Sequence, residues 1–344
     1  MRLVFVTQRV DPSSSVLGAT VAKLEALARR VDEVVVLADS AVDGALPANC
    51  RVHTFAARSK AGRGARFETA LARELGREPR PVAVVAHMCP IYAVLAAPLA
   101  RPLGVPVLLW FTHWRASRLL AMAERLSTAV VTVERRSFPL GSRKVVPIGH
   151  GIDLTGFTCV DREREAIGPL RLLALGRTSP AKGLEVVVRA VARVPEAALS
   201  VRGPSLTDVE RAQRAALRSL VTELGVDDRV RIEEPVARDD VPGLLAEADA
   251  LVNNMRAGAT DKVVFEAAAT CLPVLASNPA LDAFLPDELR FERDDPEGLA
   301  ERISWLAGAD RVARGRRLRE RVERDHDVQG WADRVLAVAR GELR

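Results

Sequence analysis

The sequence predicts an α/β protein with two domains, each built on a parallel sheet covered by helices. Three observations predict it. Short apolar runs alternate with segments of helical periodicity from the first residue onward. The length of 344 residues exceeds one ordinary core and suits two domains of roughly 150 to 170 residues. A stretch without apolar period, CVDREREAIGPL at 159–170, separates two such series and is the candidate linker.

The first series is predicted to form an N-terminal domain over residues 1–160. It opens with a strand at 3–7, a polar turn at 11–15 and a helix through Leu27. The basic segment 58–66, RSKAGRGAR, is predicted as a loop. The further strands are predicted at 34–38, 52–55, 82–86, 105–111 and 129–133, and the further helices at 65–77, 90–100 and 117–126.

The second series is predicted to form a C-terminal domain over residues 168–325. Its basic segment 311–324 carries interspersed glutamates, which indicates a solvated helix face. The final segment, 328–344, contains the amphipathic pattern GWADRVLAVAR and is predicted as a helix packed across both domains. Strands are predicted at 171–175, 198–201, 230–232, 250–252 and 273–276, and helices at 182–193, 207–224, 239–247 and 261–272.

Composition indicates a globular protein, with 48% hydrophobic and 28% charged residues. No apolar stretch reaches the ~18 residues that span a bilayer, and the N-terminus lacks a signal-peptide pattern. We therefore expect a cytoplasmic protein. The four cysteines form neither a metal-ligand pattern nor a disulfide framework, so we expect reduced thiols.

The net charge of +5 permits anionic partners of several kinds. Aromatic residues make up only 4% of the chain, which disfavours nucleic-acid binding by base stacking. Segment 58–66 contains no acidic residue, so contact with an anionic acceptor or with the inner membrane surface is a hypothesis for it.

Residues 253–277 form a predicted strand-loop-helix-strand unit, the kind of place where open parallel sheets bind ligands. The N–H groups of the helix, which is predicted to begin near Asp261, favour an anion such as phosphate. Glu266 lies in this helix among apolar residues and is interpreted as an acceptor for a ligand's paired hydroxyls. The alternative is a carboxylate at the solvent edge.

A second stretch, LALGRTSPAKGLEVV at 173–187, places two cations in a loop between a strand and a helix. Arg177 and Lys182 together with a helix N-terminus suit a diphosphate, because guanidinium and ammonium groups both bind phosphate oxygens. Lysine is rare in this chain, and Lys182 and Lys262 both stand at predicted helix starts.

These motifs resemble the donor site of the retaining glycosyltransferases of family four, and VVPIGHGID at 145–153 resembles that family's strand and turn between domains. The resemblance implies the GT-B fold, with two facing Rossmann-like domains and a C-terminal crossover helix. It implies Arg177 and Lys182 as catalytic ligands of the diphosphate and Glu266 as acceptor of the ribose hydroxyls. It also implies that His113, in WFTHWR, meets the transferred sugar, with a structural loop histidine as the alternative.

Two positions depart from the family pattern. Gly258 stands where the family has a glutamate, so its contact to the donor sugar is lost or comes from Asp261 or Asn254. For Asp261, helix N-capping is the alternative explanation. The family's adjacent glycines near the phosphates are reduced here to Gly18. The predicted donor-binding residues are Glu266, Asp261, Gly18, Thr260, Lys262 and Asn254.

The implied activity is transfer of a sugar from a nucleoside-diphosphate sugar to an acceptor hydroxyl, with retention and without a metal or cofactor. Two alternatives keep the fold: a nucleotide-sugar-binding protein with impaired transfer, suggested by Gly258, and a nucleotide-sugar epimerase. A dinucleotide oxidoreductase is disfavoured because neither predicted domain opens with GxGxxG.

Overall fold

The structure is a computed structural model that describes residues 1–14, 17–159, 168–258 and 260–344. Over these ranges the chain forms twelve strands and eleven helices. It divides into an N-terminal unit, Met1–Asp153 with Asp325–Arg344, and a C-terminal unit, Leu154–Arg324. Most of the candidate linker, residues 160–167, lies outside the described residues.

The N-terminal unit is built on a parallel sheet with the order β3-β2-β1-β4-β5-β6-β7, counted over its described residues. Its central strands are continuous apolar runs, because helices cover both faces of such a sheet. Residues Leu3 to Val6 are fully buried. The strands are β1 (Arg2–Val10), β2 (Glu33–Ala41), β3 (Cys50–Thr54), β4 (Pro81–His87), β5 (Val107–Trp110), β6 (Ala129–Thr132) and β7 (Val145–Pro147).

The helices of this unit pack an aromatic and aliphatic core against the sheet. Phe55, Phe67 and Tyr92 pack together with ring centroids 4.8 to 5.6 Å apart. The helices are α1 (Ala19–Ala28), α2 (Lys60–Leu75), α3 (Pro90–Ala100) and α4 (Arg118–Leu126).

The C-terminal unit has its own parallel sheet, and the strands seen in the described part of the unit have the order β10-β9-β8-β11-β12. The strands are β8 (Leu170–Leu175), β9 (Ala197–Arg202), β10 (Val230–Glu233), β11 (Ala250–Asn253) and β12 (Val274–Ala276). The helices are α5 (Leu184–Ala192), α6 (Asp208–Glu223), α7 (Val241–Glu247), α8 (Lys262–Ala269), α9 (Pro296–Ala307) and α10 (Arg311–Asp325).

The chain returns to the N-terminal unit with α11 (Val328–Ala339). Arg30, just beyond the end of α1, forms an ion pair with Asp333 of α11. Trp331 of α11 is fully buried, with its ring at 5.6 Å from that of Trp110. That this helix also packs across both units stays a prediction.

Segment 58–66 is not a loop, contrary to the prediction. The hydroxyl of Ser59 accepts a hydrogen bond from the Gly62 N–H at 3.0 Å and caps α2, so most of the segment is helical. An acidic partner is also present in space, because Arg63 lies 3.1 Å from the Asp39 carboxylate of β2. Arg58, Lys60 and Arg66 are exposed.

The prediction of reduced cysteines is wrong for two of the four. Cys159 and Cys271 form a disulfide, with Cα atoms 4.9 Å apart and a sequence separation of 112. The fold brings residue 159 to the end of α8, and spacing along the chain does not reveal such a pairing. Cys50 and Cys89 are free thiols.

Among the described residues, no helix has both the length and the apolar character needed to cross a membrane.

Candidate functional site

The predicted site lies where the strand order of the C-terminal unit reverses. The chain runs from β8 outward to β9 and β10, then crosses to β11 and β12 on the other side of β8. Open parallel sheets bind ligands at this point, beyond the carboxyl ends of the strands. The loop after β8, residues 176–183, and the loop after β11, residues 254–261, both carry predicted residues.

Lys182 connects these two loops. It lies in a 3-10 turn before α5, and its Nζ donates to the carbonyl oxygen of Leu175 at 3.0 Å. The same ammonium forms an ion pair with the carboxylate of Asp261. Gly176 makes room for this side chain, because a Cβ there would lie 2.5 Å from Nζ. The φ of Gly176, +124°, is also one that L residues rarely adopt.

Asp261 stands at the N-cap position of α8 without capping the helix. Its side chain makes no hydrogen bond to the helix N–H groups among the described residues, so N-capping does not explain it. Its Oδ2 instead accepts a hydrogen bond at 3.0 Å from Nδ2 of Asn253, the last residue of β11. The carboxylate is therefore held by Lys182 of the loop after β8 and by Asn253 at the end of β11.

Asn254 also connects the loop after β11 to the loop after β8. Its Nδ2 donates to the carbonyl oxygen of Gly183 at 3.0 Å, and its Oδ1 accepts from the Ser277 hydroxyl at 2.8 Å. The side chain is buried. These contacts make Asn254 part of the scaffold, and they require glycine at position 183, where a Cβ would lie 2.5 Å from Nδ2.

Glu266 is buried, with 2% of its surface exposed, so the alternative of a solvent-edge carboxylate is wrong. Its Oε1 accepts from Arg238 Nη2 at 2.6 Å and lies 3.1 Å from Lys262 Nζ. Burial raises the pKa of this carboxyl, but the charges of Lys262 and Arg238 outweigh burial and lower the pKa below its ordinary value. Glu266 is therefore ionised at neutral pH.

Arg177 lies on the other flank of the site. Its Nε is 3.3 Å from Oε1 of Glu210, and half of its side chain is exposed. Glu210 also closes the capping box at the start of α6: its Oε2 accepts from the Thr207 N–H, while the Thr207 hydroxyl accepts from the Glu210 N–H. The capped helix thus fixes the carboxylate that holds Arg177.

The remaining predicted residues of this unit lie in the loop after β11 or at the start of α8. Thr260 is buried, and Lys262 is engaged with Glu266. Gly258 has a φ of +90°, a conformation that favours glycine over a glutamate.

His113 and Gly18 belong to the N-terminal unit. His113 follows β5; its Nδ1 accepts from the Arg115 N–H at 3.0 Å, and its ring stacks on Trp114 at 5.3 Å. A Cβ at Gly18 would lie 2.6 Å from the carbonyl oxygen of Pro12 and 2.7 Å from that of Ser14. Glycine at position 18 is thus required by the turn that precedes α1.

From the sequence, His87 in VVAHM also stands at a strand end, where a structural role is favoured over a ligand role. It is buried at the end of β4. Its ring packs between Phe5 and Trp110. Burial, with a contribution from the charge of Lys23, holds its pKa well below the ordinary value. These surroundings favour the structural interpretation of His87.

Sequence reasoning missed three residues of the site: Arg238, Asn253 and Glu210. Only Glu210 has a local signal, the T-x-x-E pattern of a capping box. Arg238 lies in the 3-10 turn that follows β10, with its guanidinium 5.5 Å from the ring centre of Phe157. No local pattern in the sequence marks Arg238 as the partner of Glu266.

Comparison with known proteins shows similarity to glycosyltransferases. Residues 169–308 match the family model described as glycosyl transferases group 1. The chain is similar to D-inositol 3-phosphate glycosyltransferase 1 of Catenulispora acidiphila, 29% identical over 66% of this chain and 59% of that protein. It is 33% identical to a D-inositol 3-phosphate glycosyltransferase of an Arthrobacter species over 37% of this chain and 32% of that one. The matched part therefore spans less than two thirds of these relatives.

Solved structures match over nearly the whole chain. HepE of Anabaena in complex with UDP has a TM-score of 0.80 at 17% identity, covering 99% of this chain and 100% of that chain. A sucrose-phosphate synthase of Thermosynechococcus elongatus has a TM-score of 0.78 at 19% identity, covering 99% and 98%. With the two parallel-sheet α/β units, these likenesses confirm the predicted GT-B fold.

Proposed function

We propose that the protein transfers a sugar from a nucleoside-diphosphate sugar to an acceptor hydroxyl, with retention of configuration and without a metal ion. The observation that carries the proposal is the convergence of Lys182 with the N-terminal end of α8 at the strand-order reversal. Cations and free helix N–H groups at such a point favour a phosphate ligand. The family-model match covers this same region.

The proposed mechanism depends on stabilising the charge that develops as the sugar leaves the diphosphate. Breaking the bond between sugar and phosphate builds negative charge on the diphosphate and positive charge on the anomeric carbon. Arg177 and Lys182 stabilise the leaving diphosphate, which lowers the barrier without contact to the sugar carbon. Glu266, which is ionised and oriented by Arg238, accepts hydrogen bonds from the ribose hydroxyls. The acceptor hydroxyl attacks the anomeric carbon from the face that the phosphate leaves, and its proton passes to an oxygen of the departing diphosphate.

The comparisons suggest which substrates to try first. HepE of Anabaena has been crystallised with UDP and with UDP-glucose, so a uridine nucleotide is the first donor to test. The similar curated proteins are named for D-inositol 3-phosphate, so a phosphorylated inositol is the first acceptor. Thermal-shift screening against nucleoside diphosphates and their sugars then identifies the base.

Turnover tests the phosphate site directly. We expect Arg177→Ala and Lys182→Met each to lower kcat by at least about 100-fold, because each removes a charge from the leaving-group site. Product formation is measured by chromatography, the anomeric configuration by NMR and the fold by circular dichroism. Arg73→Met, which removes an exposed cation of α2 outside segment 58–66, is the matched control. Full activity in both variants would show that Arg177 and Lys182 do not form the phosphate site.

One observation favours a second candidate, a nucleotide-sugar-binding protein with impaired transfer. Gly258 leaves the donor sugar without the glutamate that the family pattern places there. Nucleotide-sugar binding with neither transfer nor hydrolysis, across inositol phosphates and other acceptors, would favour this candidate over the enzyme.

A further inference from the structure

The ammonium of Lys182 already has an anion of the protein beside it. Asp261 reaches it from the loop after β11, and only 12% of the lysine side chain and 24% of the aspartate side chain are exposed. If the proposed function holds, the ammonium group that binds a phosphate is already paired with a carboxylate before any ligand binds.

This pairing is built by the fold. Asp261 stands at an N-cap position and yet makes no cap bond within the described structure. Asn253, 4% exposed, holds the carboxylate through Nδ2. The Oδ1 of Asn253 is buried with no hydrogen-bond partner among the described residues. A buried amide oxygen without a hydrogen-bond partner is unfavourable. The orientation of the Asn253 side chain is therefore set by the hydrogen bond that its Nδ2 donates to Asp261.

We propose that Asp261 is an internal counter-anion that makes the phosphate site discriminate between ligands by charge. The inference rests on the proposed function. A nucleoside diphosphate ends in a phosphate monoester whose second pKa is about 6, so at neutral pH it carries roughly one more negative charge than its sugar ester. A carboxylate fixed on Lys182 repels that extra charge. The intact donor is thereby favoured over the nucleoside diphosphate, which leaves after transfer.

The experiment compares wild type with Asp261→Asn by titration calorimetry at pH 8, using UDP, UDP-glucose and uridine as probes. We expect the variant to bind UDP about tenfold or more tightly than wild type, to gain less for UDP-glucose, and to bind uridine unchanged. In a Lys182→Met background the gain for UDP should shrink, because the two side chains act on one site.

Asp228→Asn is the matched control. Asp228 is exposed and precedes β10, at the opposite end of the strands, so its substitution makes the same change in net charge away from the site. It should leave all three affinities unchanged. Circular dichroism checks the fold of each variant.

The outcomes separate the two proposals. An Asp261→Asn variant that binds UDP no more tightly than wild type, or gains equally for UDP and UDP-glucose, overturns the inference while the proposed function stands. Binding of UDP only by the variant supports it. Failure of both proteins to bind UDP, UDP-glucose and other nucleoside diphosphates overturns the proposed function and the inference together.

Discussion

At the scale of single residues, Glu266 shows how far a physical argument from sequence reaches. A carboxylate among apolar helix residues needs a partner, since an unpaired buried charge is strongly unfavourable. The structure supplies two, Arg238 and Lys262. The need for a partner follows from the sequence, and Lys262 stands four residues earlier, a spacing that places both side chains on one helix face. The contact with Arg238 does not follow from the sequence, because its approach depends on how the loop after β10 folds.

Glu134, just after β6, provides a pH-dependent test of the N-terminal unit. Burial raises the pKa of its carboxyl to about 7, and the charge of Asp325 adds to the rise. The folded protein therefore holds this proton more tightly than the unfolded chain. The resulting stability is complete below the ordinary pKa of 4.5 and is lost as the pH rises through 7.

We therefore expect Glu134→Gln to gain stability relative to wild type between pH 5 and pH 8. Urea denaturation at both pH values measures the difference. Glu68→Gln, on α2, is the control for loss of a carboxylate and should show no such trend. An equal effect of Glu134→Gln at the two pH values would contradict a raised pKa for this group.

At the scale of elements, the alternation of apolar runs and helical periods predicted most of the fold. Helix α3 is predicted with the bounds that the structure has, 90–100, because Pro90 starts it and its residues are apolar. Strand ends differ by a few residues, as at β1, which extends to Val10. Such ends depend on pairing with β2, which a local pattern does not contain.

Two helices differ from the prediction for different reasons. The start of α2 is predicted as a loop, and Gly62 and Gly64 do disfavour a helix interior. Packing of Phe67 and Leu71 into the core overrides that preference. Helix α9 was not predicted, although Asp295 followed by Pro296 is a recognisable helix start and Asp295 does cap it.

The disulfide fastens the segment at Cys159 to the end of α8, the helix that carries Glu266. Closing a loop of this length restricts the unfolded chain, which typically stabilises a protein by about 2–4 kcal/mol. We expect Cys159→Ser to lower the free energy of unfolding by about that amount in non-reducing buffer. Urea denaturation measures the change.

Cys50→Ala, at a free and partly buried thiol, is the matched control for loss of a cysteine. Addition of a dithiol reductant should bring wild type to the stability of Cys159→Ser and leave the variant unchanged. Equal stability of wild type and Cys159→Ser under oxidising conditions would show that the disulfide does not form in solution.

At the scale of the whole molecule, the net charge of +5 makes attraction to anionic surfaces testable. The exposed residues Arg58, Lys60 and Arg66 lie just before α2 or in its first two turns, whereas Arg63 is paired with Asp39. We propose that these residues contact a membrane surface or an anionic acceptor. Replacing all three by glutamine should abolish sedimentation with phosphatidylserine vesicles at low salt.

Arg316, Arg317 and Arg324, exposed on α10, provide the matched control. Their replacement by glutamine removes the same charge from the C-terminal unit. Equal loss of vesicle binding in both triple variants would show that binding follows total charge. Sedimentation that is unaffected by either change would end the membrane version of the proposal.

The division into two units, each with its own sheet, predicts that a nucleotide stabilises one unit. Lys182, Asp261 and Glu266 all belong to the C-terminal unit. UDP at a hundred times its dissociation constant adds about 2.7 kcal/mol to the state that binds it. For a unit of this size that is a rise of roughly 5–10 °C in its unfolding temperature. Calorimetry should therefore show one transition that moves with UDP and one that does not.

The tryptophans identify the two transitions. Trp305 lies in the C-terminal unit, whereas Trp110, Trp114 and Trp331 lie in the N-terminal unit. In a Trp305→Phe variant, tryptophan fluorescence reports the N-terminal unit alone, so its midpoint should stay constant as UDP is added. Because the chain enters the N-terminal unit again at Asp325, strong coupling would move both signals together. A fluorescence midpoint that rises with the calorimetric one would show that the units unfold as a single cooperative body.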